Sequence, residues 1–211
     1  AAAQDSRGWL WFGAQGGLYR YDGLEFQHLG LPDSLALSTV STLYEWEGLI
    51  WAGFRNGAIG YVPVNDAFAF STTDVGLDKK KHAAELQIWE PEEGLPAKPI
   101  ISFVADKSGG FWIATYGEGV YCLKNNRLYH FGAADDGLAG DEIYALACDA
   151  QGRTWAATDG GISICSMPSP GQKKVQNLTK ADGLPDEIIT ALLADNRGDI
   201  WIGTHEKGLC H

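Results

Sequence analysis

The chain has 211 residues, with 27 Gly, eight each of Trp, Tyr and Phe, and a formal net charge of −11. That acidity argues against nucleic-acid phosphates or anionic lipid as partners, and the short basic run Lys79-Lys80-Lys81-His82 does not reverse it. No stretch of about 18 apolar residues exists to span a membrane as a helix, and the opening "AAAQDSRG" lacks the basic region and apolar core of a signal peptide.

Taken in chain order, one motif keeps returning. Asp5-Gly8-Trp11-Gly13 comes first, in a segment (1–29) that opens as if inside a second strand and reads as a partial unit. Glu45-Gly48-Trp51-Gly53 follows with Glu in the acidic slot, in a unit over 37–90 with an insert at 63–85. Asp106-Gly109-Trp112-Ala114 lies in a unit over 98–131, and Asp149-Gly152-Trp155-Ala157 in one over 141–179. Asp195-Gly198-Trp201-Gly203 closes the series in a partial unit over 186–211, which stops at the start of a third strand. The Trp-to-Trp steps are 40, 61, 43 and 46 residues, a period that points to a propeller or a solenoid. A second marker keeps step: Gly94-Leu95-Pro96, Gly137-Leu138 and Gly183-Leu184-Pro185 each lie 12 residues before the next acidic residue. The insert lengthens the second step, and it reads as a surface loop or a flap over a ligand.

One unit shows what the repeat builds. "EIYALACD" is apolar on both alternating faces, "RTWAAT" and "ISICS" follow across tight turns, and "KKVQNLT" is more polar. Polarity rising from first strand to last fits a blade whose first strand lines an axis and whose fourth meets solvent. The predicted fold is an all-β propeller of four-stranded antiparallel blades, three complete and two partial, belonging to a larger array; the region 1–211 reads as one domain. The Asp-x-x-Gly segment is the turn between first and second strands, with the carboxylates of Asp106, Asp149 and Asp195 accepting backbone N–H groups. Trp11, Trp51, Trp112, Trp155 and Trp201 then wedge between blades. A part-propeller would leave blade faces uncovered unless further blades or a partner meet them.

Strand parity sends the second-to-third turns and the blade-to-blade loops to the end opposite the Asp turns. The varied residues there are the candidates for binding: Arg55, Tyr116, Glu118, Asp159 and His205. Catalytic residues, a cofactor and a metal are not expected. The acidic residues recur at every turn, whereas a catalytic pair occurs once, and the five His lack metal-ligand spacing. "DNRGD" has the start of an EF-hand loop but not its downstream Glu. Cys122, Cys148 and Cys165 sit in apolar runs and read as small buried hydrophobes; no C-x-x-C pair is present.

"GLPDEIITALLADNRGDIWIGTHEKGL", residues 183–209, resembles the two-component regulator propeller repeat at nearly every signature position. Residues 94–121 and 137–162 resemble it well, and 5–22 and 45–61 less so. The resemblance implies the extracytoplasmic sensing part of a bacterial two-component protein, periplasmic or extracellular. It implies a small polar ligand such as an oligosaccharide, and further blades with a membrane-linked signalling domain as partners. Dimerisation stays open. Two alternatives stand beside it: a propeller enzyme of the streptogramin-lyase or lactonase type, and a non-catalytic cell-surface adaptor.

Overall fold

The computed structural model describes residues 1–64, 86–89, 94–95 and 97–211. The body of the 63–85 insert lies outside the described residues. Five antiparallel sheets follow one another along the chain. The first contains β1 (Ala2–Gln4), β2 (Leu10–Ala14), β3 (Gly17–Tyr21) and β4 (Phe26–Gly30). The second contains β5 (Val40–Trp46), β6 (Leu49–Phe54), β7 (Ile59–Pro63) and β8 (Gln87–Ile88). The third contains β9 (Ile100–Ala105), β10 (Phe111–Thr115), β11 (Val120–Lys124) and β12 (Arg127–Phe131). After a single helical turn, α1 (Ala133–Asp136), come β13 (Ile143–Cys148), β14 (Thr154–Thr158), β15 (Gly161–Ser166) and β16 (Lys174–Leu178). The fifth holds β17 (Ile189–Ala194), β18 (Ile200–Thr204) and β19 (Leu209–Cys210). Within every sheet the strands are ordered as they occur in the chain, the meander of a propeller blade.

The first sheet corrects the expectation of a partial blade at 1–29. Its first strand exists: Ala2 pairs with Phe12, Ala3 with Trp11 and Gln4 with Leu10. Three residues, two of them Ala, are too short a run to show alternation, so the sequence pattern passes over them. The chain falls into two compact units, Ala1–Glu90 and Pro91–His211, and the same blade architecture lies in both.

Four of the motif turns share one construction. In the first blade the Oδ1 of Asp5 accepts the N–H groups of Arg7 and Trp9, both at 3.0 Å, and Oδ2 accepts the Trp11 indole Nε1–H at 2.8 Å. Asp106 repeats this with Ser108, Gly110 and, at 2.8 Å, Trp112. Asp149 does so with Gln151, Arg153 and Trp155, and Asp195 with Arg197, Asp199 and Trp201. One carboxylate therefore shapes the turn with one oxygen and aims the indole with the other. Burial pushes Asp106 and Asp149 up, but the donors around them, led by the Trp indole, outweigh it and hold both below the ordinary carboxylate value.

The second blade departs from this. Glu45 pairs with Ile50 and Trp46 with Leu49, so the turn is the two residues Glu47 and Gly48, with φ of 51° and 72°. That is the geometry of a tight hairpin turn, and Glu45 is a strand residue instead of the acidic turn residue. Trp51 stands in a different setting, beside Trp46, Tyr61 and Trp89 at ring-centroid distances of 6.0, 5.3 and 5.8 Å.

Within each unit the motif Trp looks toward the following blade. Trp11 shares a core with Leu43, Ile50, Ala52 and Val62 of the second sheet. Trp112 shares one with Leu146, Ala156, Cys165 and Met167 of the fourth, and Trp155 with Ile189, Ile200 and Ile202 of the fifth. Trp11 and Trp112 are fully buried, each worth roughly 4–6 kcal/mol of apolar burial as an upper bound. Trp155 and Trp201 are only partly buried, which corrects the picture of five equal wedges. Lys124 adds a polar tie between blades: its buried ammonium donates to Ser108 Oγ at 2.8 Å and to the Met167 carbonyl at 2.9 Å. Gly198 marks how closely successive turns approach, since it combines φ of 94° with a Cβ position 2.9 Å from Ala150 Cβ.

Candidate functional site

The Thr that ends the motif strand builds the turn carrying the candidate residues. The hydroxyls of Thr115, Thr158 and Thr204 each donate to a Gly carbonyl across that turn, at 3.0 Å in every case. This staples the second-to-third turn of three successive blades. Each turn then leans on the segment leading into a first strand. The N–H of Tyr116 donates to Pro99 O, those of Gly117 and Gly119 to Asp141 O, that of Arg55 to Thr39 O, and that of His205 to Ile188 O.

In the second unit these bonds gather a group of side chains. Tyr116 forms an isolated bridge with Glu142, and its ring lies 6.1 Å from that of Tyr144 in an edge arrangement. The Tyr144 hydroxyl donates to Glu142 Oε2 at 3.2 Å, and the Tyr116 phenol feels the same carboxylate. Tyr116 is 42% exposed, leaving a ring face open to solvent beside this network. Asp159 sits close enough to add its field to both phenols. The neighbouring Glu142 carboxylate pushes the Tyr116 phenol up, and burial together with Glu142 pushes Tyr144 up to about 12. Both therefore stay protonated and available as hydroxyl donors at neutral pH.

The turn of Asp159 is tucked in tightly. A Cβ on Gly140 would fall 2.0 Å from Asp159 Oδ1, and one on Gly160 would fall 2.2 Å from the Ala139 carbonyl. Glu118 lies on the Tyr116 turn, with its carboxylate 3.9 Å from Lys98 Nζ; both side chains are nearly half exposed, so that pair adds little energy. The Glu118 carbonyl is 2.9 Å from His130 Nε2, and because a carbonyl only accepts, that nitrogen carries the proton. His28 lies in the same place on the first blade, 3.4 Å from Gly16 O. The His on the fourth strand thus props the second-to-third turn in both blades.

Of the five candidates, the structure brings Tyr116 and Asp159 around one network, with Glu118 on the adjoining turn. His205 is exposed on the corresponding turn of the fifth blade, and Arg55 is exposed on that of the second blade, in the other unit. Two residues at the centre, Glu142 and Tyr144, were not among the candidates. The signal for them is their spacing: positions i and i+2 share one face of a strand, here at the mouth of β13. Among the described residues no group of three or more His, Cys, Asp or Glu could hold a metal ion. What the group offers is an aromatic face, two phenol donors and three carboxylate acceptors.

The family model described as "Two component regulator propeller" matches residues 94–117, 137–160 and 183–206. These three segments are two-component regulator propeller repeats. Each runs from the Gly-Leu marker through the Asp turn and the motif Trp to the turn stapled by Thr. Among curated proteins none matches the chain. Among solved structures it is similar to an extracellular domain assigned to a hybrid two component system of B. thetaiotaomicron. There the identity is 24% and the TM-score 0.72, over 96% of this chain and 26% of that one. It is also similar to PorZ, a surface component of the type-IX secretion system of Porphyromonas gingivalis, at 17% identity and a TM-score of 0.70, over 99% of this chain and 31% of that one. Virginiamycin B lyase of Staphylococcus aureus follows at 11% identity and a TM-score of 0.64, over 95% of this chain and 61% of that one. At these identities the likeness is one of fold, and the chain spans between a quarter and a third of the first two.

Proposed function

We propose that this chain is a non-enzymatic recognition module, part of the extracytoplasmic sensory region of a two-component signalling protein, and that it binds a polyhydroxylated solute such as an oligosaccharide. The observation that carries the reading is the exposed Tyr116 ring beside the hydrogen-bonded Glu142 and Tyr144, with Asp159 alongside. A pyranose presents a C–H face that stacks on a phenol ring and equatorial hydroxyls that donate to carboxylates. Glu118, Glu142 and Asp159 outnumber Lys98, so neutral sugars are favoured over uronates or sulfated glycans. The signalling context is supported by the three matched repeats and by the structural likeness to an extracellular hybrid two-component domain. Among the described residues no helix is long and apolar enough to cross a membrane, so attachment to a membrane would be supplied by another segment or partner.

Calorimetric titration with neutral and acidic oligosaccharides tests this. A neutral glycan should bind, and Tyr116→Ala should weaken it about 5- to 30-fold, the loss of about 1–2 kcal/mol of ring contact. No heat with any neutral glycan, or binding indifferent to Tyr116→Ala, would remove the proposal. Capture of a protein at the same residues would point instead to a surface adaptor, and turnover of a bound solute to an enzyme.

A further inference from the structure

A row of residues in register begins directly after the motif Trp and crosses each blade. In the first blade it is Phe12, Tyr19 and His28, and in the third Ile113, Tyr121 and His130. There Tyr and His lie 4.7 Å apart, ring on ring, and the His reaches the turn of its own blade. The fourth blade departs from this. Its row is Ala156, Ser163 and Asn177, and the small polar pair bonds to a different segment.

That segment is 137–142, the connection leading from the third blade into the fourth. The N–H of Ala139 donates to Ser163 Oγ at 2.8 Å, and the Ser163 hydroxyl donates to Asn177 Oδ1 at 2.9 Å. The Asn177 amide then donates from Nδ2 to the Gly137 carbonyl at 2.8 Å. The direction of this chain is fixed. A carbonyl only accepts, so the amide nitrogen faces Gly137 and leaves the amide oxygen for the hydroxyl. Ser163 is fully buried, and Leu138, between the two bonded residues, is buried in the Trp112 core. The connection is therefore clamped to the fourth blade at Gly137 and at Ala139.

The recognition residues stand on this clamped segment. The Asp141 carbonyl accepts the N–H groups of Gly117 and Gly119, both at 3.0 Å, and so holds the Tyr116 turn. Glu142 bridges to Tyr116 and accepts the Tyr144 hydroxyl. The Asp159 turn lies against the other side, with the Cβ position of Gly140 2.0 Å from Asp159 Oδ1 and that of Gly160 2.2 Å from the Ala139 carbonyl. A shift of 137–142 would move Tyr116, Glu142 and Asp159 relative to one another.

We propose that Ser163 and Asn177 are positioning residues of this site, acting through 137–142 and not on the solute itself. This role rests on the recognition reading proposed for the site. By ordering the connection before the solute arrives, the pair lowers the ordering cost of binding and raises affinity. It does so from the third and fourth strands of the blade, where Tyr and His serve only their own turn in the first and third blades.

Hydrogen exchange on the full chain without ligand, followed by calorimetry with a neutral oligosaccharide, tests this. Asn177→Asp keeps the shape and the acceptor for Ser163 but has no N–H for the Gly137 carbonyl. Asn177 is exposed on a polar strand, so this variant should fold even where the buried Ser163→Ala does not. In each folded variant the amides of Ala139, Gly117 and Gly119 should exchange about tenfold faster or more, while those of Gly110 and Arg153, bonded to Asp106 and Asp149, keep their rates. The ring-proton shifts of Tyr116 and Tyr144 should also move, which a loss of global stability alone does not produce in the folded state. The dissociation constant for the glycan should rise about fivefold or more. Faster exchange at Ala139 with Gly117, Gly119 and both Tyr rings unchanged overturns the proposal. So does equal acceleration at Gly110 and Arg153, or an unchanged affinity in a variant whose Gly117 and Gly119 amides have loosened. An unaltered chain that binds no neutral glycan removes the recognition reading and the positioning role with it. The exchange rates, read without ligand, then tell that failure apart from a misread clamp.

Discussion

Replacing Asp106 with Ala removes four hydrogen bonds from one turn: those from Ser108 N, Ser108 Oγ, Gly110 N and Trp112 Nε1, at 2.7, 2.7, 2.9 and 2.8 Å. Ser108 is exposed, so water replaces the carboxylate there. Gly110 and Trp112 are buried, so their N–H groups are left without a partner. A buried donor stranded in this way costs about 1–3 kcal/mol, which gives a loss of roughly 3–4 kcal/mol for the pair. At a urea slope of about 2 kcal/mol per molar, the unfolding midpoint of the second unit should fall by about 1.5–2 M. Asp195→Ala is the internal control. Its indole bond is longer, 3.2 Å, and both Trp201 and the turn around Asp195 reach solvent, so the loss should be well below that of Asp106→Ala. Asp106→Asn should recover the turn but not the indole bond, because the amide presents either its oxygen or its N–H₂ to each donor. Urea titration followed by Trp fluorescence and far-UV dichroism reads all three. Equal losses at Asp106 and Asp195, or full rescue by Asn, would show that the indole bond and its burial do not set the cost.

Gly140→Ala should crowd Asp159, whose Oδ1 lies 2.0 Å from the added Cβ, and swing that exposed carboxylate away. Stability should change by less than about 0.5 kcal/mol while glycan affinity drops several-fold, measured by thermal unfolding and calorimetry. His130→Ala should free the Glu118 carbonyl, raising amide exchange over 116–119 with little effect on the Asp106 turn. The lowered carboxyls of Asp106, Asp149 and Asp195 contribute stability that is complete above the unfolded value of 3.8 and is lost as pH falls through their folded values. Acid titration of the unfolding midpoint should therefore decline below about pH 4, and less steeply in Asp106→Asn. Tyr144, raised to about 12, should ionise well after the exposed phenols in an ultraviolet titration, and earlier in Glu142→Gln.

The blades were legible because Asp, Gly and Trp do three linked jobs within seven residues: acceptor, left-handed turn and wedge. Evenly spaced motifs of that kind survive in a single sequence. The second blade misleads because Glu45-Trp46-Glu47-Gly48 keeps the spacing while the chain turns on two residues, and spacing alone does not count strand pairs. Strand β1 is missed because three paired residues leave no period. At the site, parity alone sends Tyr116 and Asp159 to the end opposite the Asp turns, since it follows from counting turns. Glu142 and Tyr144 needed the fold, because what joins them to Tyr116 is the bridge between one blade's turn and the next blade's first strand. His28 and His130 are invisible for the same reason: their work is a hydrogen bond across the sheet to a turn twelve residues away.

The claim that the turns opposite the Asp turns form the binding end is tested most directly by amide chemical shifts on titrating a neutral oligosaccharide. Perturbations should concentrate at 116–119, 141–144 and 159–160, with the amides of Ser108, Gln151 and Arg197 unmoved. Perturbations centred on those Asp-turn amides, or spread evenly over both ends, would contradict it.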